Sequence, residues 1–191
     1  MTLRTKIGVI GAGLALIASA PALATIQVAL LPASQTVNIA DGTTTVDIVA
    51  VIPQADAIVS WGLDLGLSGT SVSYAGATVG PAWTPTTGAD GDAFAGLAPT
   101  PPGSAIWSDP TAILLATVTL SLDSLGVTDL VLSDDNPADL TEGFALNPPP
   151  VGAFADVVYT GGTVNVVIPE PASLALLALG GLAVAAPRRR R

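Results

Sequence analysis

The sequence contains no cysteine and no histidine. The first absence excludes disulfides, thiolate zinc sites and a thiol nucleophile. The second removes the commonest general base and the commonest transition-metal ligand. Aromatic residues are scarce, at 4%. Half of the residues are nonetheless apolar, so any core is built mainly from Val, Ile, Leu and Ala. Charged residues reach only 11%, against about 25% in ordinary globular proteins. Basic residues are confined to the ends: Arg4, Lys6 and the run from Arg188 to Arg191. Between Thr25 and Ile168 there is no Lys or Arg, while 14 of the chain's 15 acids lie there. A body without cations cannot neutralise phosphates, which excludes nucleic-acid binding. It is also repelled by anionic lipid, and its natural counter-ions are divalent cations.

The N-terminal end has the three parts of a secretory signal peptide. Arg4 and Lys6 supply the positive region, Ile7 to Ala20 the apolar run, and Ala22-Leu23-Ala24 a small-x-small cleavage site after Pro21. The mature chain is expected to begin at Thr25, so residues 1–24 form a signal helix that is removed. Gly11-Ala12-Gly13 imitates the start of a dinucleotide fingerprint. That motif needs a βαβ unit and an acid about 20 residues on. Here a cleavage site follows instead.

At the other end, Pro169-Glu170-Pro171 precedes an apolar run from Leu174 to Ala186, then Pro187 and Arg188, Arg189, Arg190 and Arg191. As a helix, 172–187 spans about 24 Å, short of the roughly 30 Å hydrocarbon core of a bilayer. Local thinning and snorkelling arginines close the gap. The positive-inside rule keeps the four arginines cytoplasmic as a membrane stop. A plain C-terminal anchor accounts for the helix and the arginines, but not for the Pro-Glu-Pro before them. The tripartite tail, residues 168–191, resembles the PEP-CTERM sorting signal. The resemblance implies that an exosortase-type enzyme in the inner membrane processes the tail. The protein would then be exported, held transiently by the C-terminal helix, and delivered to the cell surface or an exopolysaccharide-containing matrix.

Removing both ends leaves roughly 145 residues, enough for one domain with a real core. Short apolar runs there are separated by Gly, Pro, Asp and Thr. Ile26 to Leu31, Thr36 to Ile39, Thr43 to Ile52, Ile58 to Leu67 and Val72 to Val79 read as strands. In Thr43 to Ile52, Val46, Ile48 and Ala50 share one face. In the next long strand Trp61, Leu63, Leu65 and Leu67 do. Ile113 to Leu122 alternates with Leu114, Ala116, Val118, Leu120 and Leu122 inward. Leu130 to Leu132 is short. Phe154 to Tyr159 and Thr163 to Ile168 read as a hairpin about Gly161-Gly162. Gly80 to Asp109 and Asp134 to Pro150 read as long loops. No helical period appears outside the two ends. The pattern predicts an all-β fold, a single jelly-roll-like β-sandwich over 25–167.

The order of Asp41-Gly42-Thr43, the Trp61-Gly62-Leu63-Asp64-Leu65 strand, Leu115-Ala116-Thr117-Val118-Thr119-Leu120 and the closing Gly162-Thr163-Val164-Asn165-Val166-Val167 is similar to the cohesin-like sandwich, which is related to some carbohydrate-binding modules. Trp61 and Leu67-Ser68 stand where that family usually has Phe and Tyr-Asp.

Candidate chemistry is thin. Asp90 and Asp92 in one loop, and Asp134, Asp135 and Asp139 in the other, offer oxygen ligands suited to Ca²⁺, or simply form solvated turns. No pair of carboxylates is singled out for glycosidase work, and no nucleophile–base constellation exists, so the chain does not read as an enzyme. No other cofactor is implied. Trp61 alternates with core residues. Trp83 and Trp107 lie in loop-like sequence, where they either stack on sugar rings or anchor the loops. Two functions follow: a structural or adhesive surface protein, or a non-catalytic binding module for polysaccharide or a surface-protein partner.

Self-repulsion among 14 acids disfavours the compact state. Monovalent salt is therefore expected to raise the melting temperature smoothly between about 0.01 and 0.15 M, as the Debye length falls from about 30 to about 8 Å. A Ca²⁺ site adds a saturable increment at fixed ionic strength that Asp→Asn variants remove. A melting series in NaCl with and without CaCl₂ checks both; a flat series contradicts the repulsion.

Overall fold

The structure is a computed structural model and describes residues 25–87, 93–98, 105–134, 142–147 and 154–168. It contains β1 (Ile26–Leu31), β2 (Ser34–Asn38), β3 (Thr43–Val51), β4 (Ile58–Ser68), β5 (Val72–Val79), β6 (Thr84–Thr87), β7 (Ala93–Leu97), β8 (Ile113–Leu122), β9 (Gly126–Ser133), β10 (Gly143–Leu146), β11 (Val157–Thr160) and β12 (Gly162–Val167). Short 3-10 turns at Ile39–Asp41 and Gln54–Asp56 flank β3. One sheet runs β11-β1-β3-β8-β5. The other runs β2-β12-β9-β4-β7-β6, with β10 also paired to β4. The expected signal helix and the expected transmembrane helix both lie outside the described residues. Among the described residues no helix is long and apolar enough to cross a membrane.

The period-two pattern dictates the layer between the sheets. Val46, Ile48 and Ala50 of β3 face inward, as do Trp61, Leu63 and Leu65 of β4 and Val164 and Val166 of β12. Each large aliphatic side chain so buried contributes about 1.5–3 kcal/mol. On β8 the expected phase is wrong at one end. Ile48 pairs with Ala116 but Val49 with Leu114, which leaves Leu115 as an extra residue in a bulge. The bulge shifts the alternation, so Leu115 is buried in the core and Leu114 only partly buried.

The closing segment is not a hairpin. β11 runs parallel to β1 in the five-stranded sheet. β12 runs parallel to β2 and antiparallel to β9 in the other. The chain crosses between sheets at Gly161-Gly162, beside the earlier crossing at Pro32-Ala33, and the Thr163 N–H donates to the Ala33 carbonyl at 2.9 Å. A Cβ on Gly161 would collide with the Leu130 carbonyl oxygen, and one on Gly162 would sit 2.8 Å from that of Ala33. These glycines permit two backbones to touch; a tight turn is not their role.

Both expected loops contain strands. β6 and β7 pair with each other and extend the sheet beyond β4. β9 leaves β4 at Ser133, opposite Asp64, and β10 rejoins the same strand at Gly143, opposite Gly62. The segment between them is therefore an insertion between two strands that share one edge of β4. β9 itself is longer than the three residues anticipated.

The sandwich has two distinct ends. Gly42 follows the first 3-10 turn and lies beside Leu122, whose N–H donates to the Gly42 carbonyl at 2.9 Å. Val167 pairs with Asn38, so Ile168 leaves the fold at this same end. At the opposite end Ile106 bridges Ile58, and Ser108 and Asp109 bond to Ile52. β3 separates the two ends by its nine residues, which is about 30 Å.

Ser71 and Thr128 are a buried polar pair. Their hydroxyl oxygens are 2.7 Å apart, and the Ser71 N–H donates to Thr128 Oγ1 at 3.1 Å. Thr128→Val keeps the shape but strands both Ser71 groups, and is expected to cost about 1–3 kcal/mol. A Cβ on Gly96 would lie 2.8–3.0 Å from the Trp61 ring, so Gly96→Ala is expected to cost about 1–3 kcal/mol through overpacking. Urea unfolding checks both; a midpoint unchanged in either variant contradicts the packing described.

Candidate functional site

The two loop tryptophans have opposite fates. Trp83 is only 5% exposed. Its ring meets Trp61 edge-on, with centroids 6.0 Å apart and planes at 84°, and its indole N–H donates to the Leu114 carbonyl at 3.1 Å. A ring buried in this way and held by its N–H has no surface left for a sugar, so Trp83 is a core residue and not a glycan contact. The bulge at Leu115 and the close backbone contact at Gly80, whose N–H donates to the Leu115 carbonyl at 2.7 Å, carry it inward.

Trp107 is 51% exposed. Its neighbours on both sides are pinned. Ile106 and Ile58 exchange backbone hydrogen bonds of 2.9 and 3.0 Å. The Ser108 N–H donates to the Ile52 carbonyl at 2.8 Å, its hydroxyl donates to the Ala50 carbonyl at 3.1 Å, and the Ile52 N–H donates to that hydroxyl at 3.0 Å.

Of the anticipated Ca²⁺ ligands, Asp90, Asp92, Asp135 and Asp139 lie outside the described residues, as do the sorting residues Pro169, Glu170 and Pro171, the cleavage residues Ala22 and Ala24, and Arg188 to Arg191. Asp134 is described. It follows Ser133, across from Asp64, and both carboxylates act on the Tyr159 phenol of the other sheet. Burial first, then Asp134 and Asp64, push that phenol well above its ordinary range. It stays protonated, a neutral neighbour for two acids in a body without Lys or Arg. Among the described residues no three carboxylates are grouped to hold a metal ion.

The feature that sequence reasoning missed is the outer face of the larger sheet. On β9, Thr128, Leu130 and Leu132 point inward, leaving Val127, Asp129 and Val131 outside. Val127 and Val131 are 57% and 52% exposed. Val131 pairs with Gly66 of β4, and Asp129 with Ser68 on one side and Thr163 on the other. Val127 pairs with Asn165. Two valines about 13 Å apart thus stand beside small or polar cross-strand neighbours, with a carboxylate between them. The signal was legible as an apolar residue on both phases of one strand.

Known proteins bear on this geometry in two places. Residues 167–191 match the PEP-CTERM protein-sorting motif. No curated protein matches the chain. The fold is similar to several solved cohesins. The third ScaB cohesin of R. flavefaciens, solved in complex with a group 1 dockerin, gives a TM-score of 0.56 at 13% identity, covering 78% of this chain and 99% of that one. A non-cellulosomal cohesin from the archaeon Archaeoglobus fulgidus gives 0.52 at 15% identity, covering 80% and 98%. The third ScaC cohesin of Acetivibrio cellulolyticus, in complex with the ScaB dockerin, gives 0.52 at 15% identity, covering 74% and 99%. The chain therefore carries a PEP-CTERM protein-sorting motif at its C-terminal end, attached to a body with the cohesin β-sandwich fold.

Proposed function

We propose that this chain is an exported surface or matrix protein whose sandwich is a non-catalytic adhesive module that docks another protein. Residues 1–24 act as the signal peptide, 25–167 as the module and 168–191 as the sorting signal handled by an exosortase-type enzyme. The observation that carries the docking half is the pair of exposed valines on the outer face of β9. Exposed apolar side chains on the outer face of a sheet, in a body with no lysine or arginine, suit a macromolecular contact better than solvent. Two of the similar cohesins were solved bound to dockerins, which offers a precedent for protein docking on this fold. The partner this face fits brings apolar side chains to Val127 and Val131 and basic side chains to Asp129 and the acidic surroundings.

A photo-crosslinking residue at position 131, in cells that export the protein, is expected to trap one discrete protein partner. Val127→Asp is expected to weaken that capture by about tenfold or more, the equivalent of about 1.4 kcal/mol, without lowering the melting temperature. Failure to trap a discrete species from position 131 refutes docking at this face.

The sorting half has its own test. Replacing Pro169, Glu170 and Pro171 with Ala is expected to leave export intact and to stop tail processing, so the variant accumulates in the membrane fraction. A plain anchor is indifferent to these three residues, since it depends on the apolar run and the arginines. Cell fractionation and immunoblotting check this; release identical to that of the unaltered protein rejects the sorting role.

A further inference from the structure

We propose that Trp107 is the stacking platform of a glycan-binding site at the end of the sandwich remote from the tail, and that its ligand is a neutral or amino-sugar polymer. The site is distinct from the docking face of β9.

The first support is the presentation of the ring. A large apolar ring that is half exposed normally costs order to hold in place. Here the backbone on both sides is tied to β3 and β4 through Ile106, Ser108 and Asp109. The backbone that carries the ring is therefore ordered before binding, which lowers the cost of association. An indole offers a flat apolar face with a polar edge, the complement of a pyranose ring with its axial C–H face and equatorial hydroxyls.

The second support is the isolation of the ring. Among the described residues, Leu125 and Ile168 are exposed at the opposite end, Val127 and Val131 on the outer face of β9, and Leu31 and Val158 on strands of the five-stranded sheet. Among those same residues, Val158 is the other large exposed apolar side chain at this end, since it pairs with Gln27 and Gln27 with Val51, but it stands on β11, the outer strand of its sheet, with β1 between it and β3. Protein interfaces bury contiguous patches of about 800 Å² per partner with an apolar centre. A single exposed ring on these turns does not supply one, but it is sufficient for one sugar unit.

The third support is charge. Asp109 follows two residues later, and its N–H donates to the Ile52 carbonyl at 3.1 Å. Asp56 lies in the 3-10 turn just after Ile52. Asp156 is placed at the same end by the bond from the Ile26 N–H to its carbonyl at 3.2 Å. These carboxylates accept hydrogen bonds from sugar hydroxyls or pair with a sugar ammonium group. With no Lys or Arg from Thr25 to Ile168, the site repels uronate and sulfate polymers. Position agrees with the role: Trp107 sits at the end of the sandwich opposite Ile168, about 30 Å away along the strands.

The full chain is titrated with cellohexaose, a chitosan hexamer and polygalacturonate at about 0.15 M NaCl, near physiological ionic strength, by calorimetry and by tryptophan emission. Trp61 and Trp83 are buried, so a change in emission or in acrylamide quenching reports Trp107. Binding of the neutral or the amino-sugar probe, with Trp107 protected from acrylamide, is expected. Trp107→Ala is expected to weaken it by about tenfold or more at an unchanged melting temperature, and Trp107→Phe to retain most of it. Val131→Asp is expected to leave it intact. Absence of binding to both the neutral and the amino-sugar probe, preference for polygalacturonate, binding without acrylamide protection, or binding unaffected by Trp107→Ala overturns the proposal. So does a Trp107→Ala variant that loses capture of a protein partner while no sugar binds.

Discussion

The layer of aliphatic side chains between the two sheets holds this fold together, because the body has neither cysteines nor cations with which to join them. There is no cysteine to staple the sheets, and from Thr25 to Ile168 no cation exists to form a salt bridge. Every carboxylate in the body must be hydrated, hydrogen-bonded to a neutral group or buried without a counter-charge. The stabilising terms that remain are apolar burial and the backbone ladders. That explains why Ile26, Ile48, Ile52, Ile58, Leu63 and Leu65 are all sealed from solvent. It also explains the sparing use of aromatics: Trp61 and Trp83 fill one thick region edge to face, and aliphatic residues fill most of the rest.

Hydroxyl groups take over the work that charges do elsewhere. Thr117 donates to the Asp47 carboxylate at 2.6 Å across β8 and β3, giving that acid a neutral donor. The Tyr159 phenol, kept protonated by its burial and by Asp134 and Asp64, sits near two acids that a basic side chain would ordinarily neutralise. Ser71 and Thr128 close one end of the sandwich, and Ser108 stitches the other. A hydroxyl both donates and accepts, so it satisfies buried backbone groups without the desolvation cost of an ion. A fold built in this way remains compatible with a strongly acidic surface, since no internal contact depends on charge neutrality.

Strands with strict alternation and a uniform environment are legible in the sequence. β1, β3, β4 and β5 begin and end within two residues of the boundaries their periodicity implies, and Val46, Ile48, Ala50, Trp61, Leu63 and Leu65 face the core as the pattern requires. What escapes depends on pairing, which periodicity does not encode. Gly161-Gly162 has the composition of a hairpin turn, yet it marks a crossing between sheets, because the neighbouring backbones at Leu130 and Ala33 leave no room for a Cβ. Alternation puts Leu115 on the wrong face because a bulge changes the phase and leaves no mark in residue type. Pro and Gly in the 80–109 stretch hide β6 and β7. Trp83 looks like a surface residue on local composition, and only the fold places its ring against Trp61. The exposed face of β9 is hidden because both phases of that strand are apolar, so the inner set, Leu130 and Leu132, masks the outer one.

The arrangement of features along the sandwich has a physical consequence for how such a protein works once exported. A module tethered by one end has its other end and its broad faces free to make contacts. Ile168 lies beside the turns that follow β2 and β8, and the turns bearing Trp107 lie at the opposite end of the sandwich. The acids are spread over 14 positions with no compensating base, and they keep neighbouring copies apart at low ionic strength. On the proposed roles, contact is selective by chemistry: an acidic surface favours ligands that bring positive charge or carry none. Val127 and Val131 on the face and Trp107 on the turns at the far end are exposed apolar side chains set in this acidic field, and the two proposed contacts rest on them.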